Sequence, residues 1–238
     1  MQPHSNLPNG NGCRSFSVVF IIGAPGAGKG TLCTYLAQEF NLVHYSVGDG
    51  LRAWMRENRS TKLATEIQSK LDNQGFLTSK ELNPFIYRAI LDAHNGGAGG
   101  ILIDGYPRCI EQLESVRSWP FQDTFPLAPN GDGVLRLDVN PDVVLSFEIT
   151  KENAKTRYLN RARDNNDSAD KFEKRFAEYQ LETIPVAEVY QQKGLLISVD
   201  VNGTKEDNRT TLTKELQQSK LWQEAVLQGI TGIRFLDK

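Results

Sequence analysis

The stretch GAPGAGKGT, residues 23–31, constrains this chain more than any other: four glycines and a proline fall within nine residues, with a lysine set among them. Before it runs FSVVFII, an apolar, β-branched segment of strand length. After it, TLCTYLAQEF carries apolar residues at helical spacing. The glycines therefore occupy a strand-to-helix turn, where a residue without Cβ takes positive φ and lets backbone approach a ligand closely. At such a turn successive N–H groups and a helix N-terminus point at one spot, which favours an anion. The G-x-x-x-x-G-K spacing from Gly23 to Lys29 is that of a P-loop, with Lys29 reaching the β- and γ-phosphates of a nucleotide.

The rest of the chain alternates in kind. Strand candidates lie at 16–22, 42–45, 101–104, 143–149 and 195–200, separated by stretches of helical period such as TKLATEIQSKLDNQG and KELNPFIYRAILDAH. That alternation predicts an α/β fold with a parallel sheet covered on both faces. The 238 residues suffice for one substantial core, burying about 70–75% of the unfolded surface. Segment 119–141 holds four prolines and PNGDG and reads as an irregular surface excursion, with a short hairpin around VLRLDV. Residues 1–15 read as a disordered tail with no secretory or transit signal. Residues 217–238 form a C-terminal tail expected to dock one amphipathic helix, with Leu221, Trp222, Ala225 and Val226, on its own domain.

A net charge of −2 offers no basic field, so neither nucleic acid nor an anionic membrane surface is expected as a partner. No apolar run approaches the ~20 residues of a membrane span. Three cysteines, Cys13, Cys33 and Cys109, have no metal-ligand spacing and point to a reduced compartment, the cytoplasm. The default oligomeric state is a monomer.

A P-loop alone does not name a reaction, but its details do. Gly30 separates Lys29 from the hydroxyl of Thr31, and this G-x-P-G-x-G-K-G-T form resembles the loop of nucleoside monophosphate kinases, the adenylate kinase and UMP-CMP kinase family. Three further stretches support the resemblance in the expected order. YSVGDGLR, 45–52, is similar to the family's S-x-G-D-L-L-R, whose arginine, here Arg52, grips the acceptor phosphate. DGYPR, 104–108, is similar to D-G-[FY]-P-R, in which the acid, Asp104, acts through the Mg²⁺ hydration shell and Arg108 binds the acceptor phosphate. The third runs from Arg157 and Arg161, one helical turn apart, through a lid to Arg175, Tyr179, Thr183, Pro185 and Val186.

The resemblance, which spans about residues 16–216, implies a P-loop NTPase-type three-layer sandwich: a five-stranded parallel sheet, a helical region at 46–76 that binds the nucleoside monophosphate, and a short lid at 161–171. It implies ATP on Gly26, Ala27, Gly28, Lys29, Gly30 and Thr31, with Arg157 and Gly203 at the donor base. It implies the acceptor on Ser46, Val47, Arg52, Gly75, Phe76, Gly105, Arg108 and Gln112. Lys29, Arg108, Arg161, Arg163 and Arg175 would then surround the transferring phosphoryl, with Mg²⁺ as cofactor. The chemistry fits that set: the transition state is loose, so the protein supplies position and positive charge on both sides of the moving group and excludes water. An anionic acceptor oxygen needs no general base.

The implied reaction is ATP + AMP ⇌ 2 ADP. Gln112 stands where adenylate kinases place glutamine, and its amide suits the edge of adenine. Val47 has the shape of the family's threonine but lacks its hydroxyl, so UMP or CMP is the alternative acceptor. A nucleotide-binding regulatory protein with weak catalysis is the alternative of another class, motivated by two departures. Gly50 replaces a family leucine, leaving room for the acceptor or loosening its helix. The lid, ARDNNDSADKFEK, is about three residues short, and Asp164, Asp167 and Asp170 do not align uniquely with the family's acidic pair. No guanine-reading N-K-x-D is present, which argues against a switch GTPase.

Overall fold

The computed structural model describes residues 13–72, 77–116, 141–161, 168–229 and 234–236. Five parallel strands form the central sheet: β2 (Ser17–Gly23), β3 (Leu42–Ser46), β4 (Gly100–Asp104), β5 (Val143–Glu148) and β6 (Leu196–Asp200), in the order β3-β4-β2-β5-β6. This is the expected α/β sandwich, and β2, which leads into the glycine turn, lies at its centre. Connections leave the central strand toward opposite edges, and at such a switch point the carboxyl ends of the strands open a crevice for ligands.

Between their end residues β2 and β4 are apolar because both of their faces are covered. On one face Val18, Phe20, Ile22, Ile101 and Ile103 meet α2 (Val47–Glu57), α3 (Lys62–Asp72), α4 (Ser79–Asn95), α5 (Ile110–Val116) and α8 (Ile184–Gln192). On the other, Val19, Ile21, Leu102 and Leu145 meet α1 (Lys29–Phe40) and α9 (Lys205–Gln218). A third cluster joins Ala24 of the glycine turn to α6 (Lys151–Arg161) and α7 (Ala169–Glu178) through Ala154, Tyr158, Phe172 and Phe176. The C-terminal helical segment docks as expected: Trp222 is buried edge-on against Phe40, and the Ser17 hydroxyl donates to the Ala225 carbonyl at 2.7 Å.

One expectation is corrected. Cys13–Ser15, assigned from sequence to a disordered tail, form β1, which pairs antiparallel with β7 (Arg234–Leu236) from the far end of the chain. Three residues carry no strand signal of their own; a partner more than two hundred residues away supplies it. Residues 117–140, with the proposed hairpin, and residues 1–12 lie outside the described residues.

The reason for Gly50 is also tertiary. A Cβ built there would stand 2.6 Å from the Tyr45 hydroxyl and 2.9 Å from its ring, so the space a leucine would fill is occupied by Tyr45. The glycine therefore accommodates a neighbouring side chain, not the acceptor. Gly50→Leu is expected to lower stability by about 1–3 kcal/mol through overpacking, and Tyr45→Ala in the same chain is expected to restore most of it. Thermal unfolding of the single and double variants measures both.

Candidate functional site

The glycine turn leaves the N-terminus of α1 open. Gly28, in the left-handed region at φ +79°, precedes the helix, with no side-chain cap and no acid in the first turn. By contrast Ser46, Ser168 and Thr204 cap α2, α7 and α9 with their hydroxyls. Uncapped N–H groups at the positive end of a twelve-residue helix suit an anion. Gly26 is required twice over: its φ is +88°, and a Cβ would meet the Ala154 carbonyl oxygen at 2.2 Å. The backbone of α6 presses directly on the turn.

Lys29 folds back over the loop, donating to the Gly23 and Ala24 carbonyls at 2.8 and 3.0 Å. Burial pulls its pKa down to about 8; the Asp104 carboxylate resists that shift, while Arg108 and Arg175 add to it. Asp104 closes β4 and is nearly buried. Beyond it the DGYPR segment turns sharply, with Gly105 at φ +83° and its N–H bonded to Ile21. The Arg108 Nε donates to the Gly105 carbonyl at 2.9 Å. Burial and the nearby Arg175 guanidinium lower the Arg108 pKa to about 10, so the group keeps its charge at neutral pH.

Arg175 arrives from α7. Phe172 and Phe176, one turn apart, bury against Tyr158 and Ala24 and fix the helix on the glycine turn. Arg161 and Arg175 stand 5.2 and 5.8 Å from the centre of the same Tyr158 ring. Lys151 and Lys155 both reach Glu173 at 2.7 Å, tying α6 to α7. The result is a cleft lined by Gly23, Pro25, Lys29, Gly105, Arg108 and Arg175. Arg52 lies close enough to Arg108 to press on its charge; its own partner is Asp49, one turn back on α2.

Several residues are placed differently from a plain reading of the sequence. Gln112 is buried, its carbonyl accepting from the Arg108 N–H at 2.7 Å and its amide donating to the Leu77 carbonyl at 2.9 Å. It braces the arginine loop, and one amide N–H and one carbonyl lone pair are left over from these two bonds. Val47 is buried in the apolar core, and the Ser46 hydroxyl serves as helix cap. Arg157 lies against the loop after β6, donating to the Val201 and Gly203 carbonyls, both at 2.6 Å. That contact brings the two expected donor-base residues, Arg157 and Gly203, together. Ala27 is buried beneath the turn, while Gly30 and Thr31 begin α1. Gly75, Phe76 and Arg163, like Asp164 and Asp167, lie outside the described residues.

One residue of the cleft escaped the sequence reading, and another, Thr183, was named there only as part of the family pattern. Glu178, three residues past Arg175 and so on the same helix face, lines the cleft. Burial raises its carboxyl pKa while Arg175 and Arg108 pull it down. Its spacing from Arg175 was the available signal. Thr183 is buried and donates to the Arg108 carbonyl at 2.8 Å, tying the π-helical turn Tyr179–Thr183 to the arginine loop. Pro185, just inside α8, lacks the N–H that would continue the regular ladder, and the turn widens so that the Ile184 N–H reaches the Tyr179 carbonyl.

Comparison with known proteins agrees with this geometry. The family model described as adenylate kinase matches residues 21–195. An adenylate kinase of Synechococcus sp. is 36% identical over 199 residues, covering 83% of this chain and 97% of that one. UMP-CMP kinase 1 of rice, Oryza sativa subsp. japonica, is 31% identical over 192 residues, covering 79% and 69%. Adenylate kinase isoenzyme 1 of Caenorhabditis elegans is 28% identical over 193 residues, covering 80% and 82%.

Proposed function

The chain belongs to the adenylate kinase family and is a phosphotransferase, and from that premise we propose that it moves the γ-phosphoryl of ATP reversibly to AMP, giving two ADP. The observation that carries this reading is the convergence of Lys29, Arg108 and Arg175, from three separated parts of the chain, on one cleft beside an open helix N-terminus. ATP phosphates would lie on the backbone of Gly26 to Thr31 with Lys29 against the β- and γ-oxygens, and Arg157 and Gly203 toward the donor base. The acceptor phosphate would lie between Arg52 and Arg108, its nucleoside against Ser46, Val47 and Gln112.

Thr31, in the first turn of α1, and the Asp104 carboxylate are hard oxygen donors at the mouth of the glycine turn, and that donor set suits Mg²⁺, which binds through few protein ligands and retains waters. They would hold the ion, which neutralises charge on the β- and γ-phosphate oxygens when bound. Arg175, with Arg161 beside it on Tyr158, supplies positive charge opposite Lys29, and α7 closing over the cleft would exclude water as a competing acceptor. The acceptor oxygen attacks as an anion and no proton has to be removed.

One observation favours the UMP or CMP reading instead. Gln112 spends half of its amide on the protein backbone, and Val47 offers no hydrogen bond. We retain AMP because the remaining N–H and lone pair still form a donor–acceptor edge. A coupled assay of ADP formation at fixed ATP, comparing AMP, UMP, CMP and dAMP, tests this. Turnover with AMP well above the pyrimidines is expected; a pyrimidine preference transfers the assignment to the sibling reaction. No helix among the described residues is long and apolar enough to cross a membrane. We place the enzyme, as a monomer, in the cytoplasm, where the free thiols of Cys33 and Cys109 would stay reduced.

A further inference from the structure

The sheet face beneath α1 changes character at its carboxyl end. Leu42 and Leu102 belong to the apolar cluster under that helix, so His44 and Asp104, two residues on in β3 and β4, project to the same face. Cys33 of α1, fully buried, comes down on them. Sulfur, imidazole nitrogen and carboxylate oxygen all lie within 4.8 Å of one another, with His44 Nε2 at 3.4 Å from Asp104 Oδ2. Three elements thus deliver three different ligand types to one point.

We infer that Cys33, His44 and Asp104 form a binding site for a borderline-soft divalent cation of the zinc class, and that its occupation inhibits phosphoryl transfer by taking Asp104 away from Mg²⁺. Thiolate and imidazole select zinc or cadmium over magnesium, and three protein ligands leave a fourth tetrahedral position for water. Ligand bonds of about 2.0–2.3 Å ask the three atoms to draw together by roughly 1 Å. Binding forms the sulfur–metal bond as the Cys33 thiol releases its proton to solvent, while the imidazole nitrogen and a carboxylate oxygen each donate a lone pair. Without the ion Cys33 is an inert buried thiol, since burial and the Asp104 charge both raise its pKa. The cation that opposes binding is Lys29, whose charge acts on both Cys33 and Asp104; its ammonium is turned onto the Gly23 and Ala24 carbonyls. The ion enters past His44, whose side chain is 19% exposed.

The binding half of this inference is independent of the proposed reaction, and the inhibitory half rests on it. The test is a Cd²⁺ titration of the full chain carrying Cys13→Ser and Cys109→Ser, so that Cys33 is the sole thiol, read by the thiolate-to-cadmium charge-transfer band in the ultraviolet. A band saturating at one equivalent and displaced by Zn²⁺ is expected. In that background His44→Gln and, separately, Asp104→Asn should weaken Cd²⁺ binding about tenfold or more, with folding checked by circular dichroism. Absence of the band, or an affinity unchanged in His44→Gln, overturns the site. In the enzyme assay Zn²⁺ should inhibit the parent chain at concentrations about tenfold below those needed for His44→Gln. Cadmium binding as described in a chain that transfers no phosphoryl group would leave the site standing and defeat the proposed reaction. Zinc inhibition indifferent to His44 would do the reverse.

Discussion

Arg108→Ala is expected to lower kcat by about 10³-fold or more while ATP binding stays within a few fold of the parent. Its guanidinium lies in the cleft with Lys29 and Arg175, aimed by the Gly105 carbonyl on one side and by the bond from Gln112 to its own N–H on the other. Charge placed in this way stabilises the transferring phosphoryl in the transition state, and arginines in comparable positions contribute on the order of 10³–10⁵ in rate. In the proposed reaction ATP would bind on the glycine turn and Lys29, which the substitution leaves in place. Arg175→Ala is expected to behave alike, because Arg175 lines the same cleft from α7. Steady-state kinetics together with a direct ATP titration separate the two quantities. A kcat near the parent value in either variant removes that arginine from the reaction; a parallel collapse of ATP binding and kcat makes it part of the donor site.

Lys29→Met is expected to lower kcat/KM for ATP by about 10²–10³-fold, the scale lost when one preorganised donor is removed, with a melting temperature at neutral pH no lower than the parent's. Burial already disfavours the Lys29 ammonium, so the charge contributes no stability to the free protein that the substitution would forfeit. The same shift makes ATP affinity depend on pH. In the free enzyme Lys29 titrates near 8, and bound polyphosphate favours its charged form, so binding above that pH takes up a proton. Affinity should therefore fall by up to about tenfold per pH unit as pH rises through 8, and Lys29→Met should lose that slope. For folding the sign is opposite. The unfolded chain holds this proton up to the ordinary lysine pKa of 10.5, so the destabilisation is fully present below 8 and is relieved between 8 and 10.5. Calorimetric titrations of ATP across pH 7–10, parent against variant, read the effect. A parent slope of zero would mean that Lys29 keeps its proton without the nucleotide.

Much of this was legible in order along the chain. The three inner strands, β2, β4 and β5, announce themselves because burial on both faces leaves an apolar run almost undiluted, while the edge strands β3 and β6 mix buried and exposed positions and show more weakly. The phosphate loop is legible because its geometry depends on residues adjacent in sequence: Gly26 and Gly28 take positive φ, and Lys29 follows at once. Arg108 and Arg175 could be assigned to one site only through the resemblance, since nothing local ties positions so far apart. Gly50 was misread for the same kind of reason: what fills its space is the ring of Tyr45, on a different element.

The amino-acid sequence by itself therefore determined the α/β architecture, the position of the anion-binding turn and the residue types available for phosphoryl transfer. All of these rest on periodicity and short-range backbone chemistry. Only the tertiary structure decided that β1 finds its partner at the far end of the chain and that Gln112 and Thr183 hold the Arg108 loop. It alone brought together Cys33, His44 and Asp104, which show no ligand spacing when read along the chain. The three-residue cluster and the Thr183 bond arise from the crossovers of a parallel sheet, which bring residues about ten to seventy-five positions apart within a few ångströms. No pattern confined to a short window of sequence carries that information.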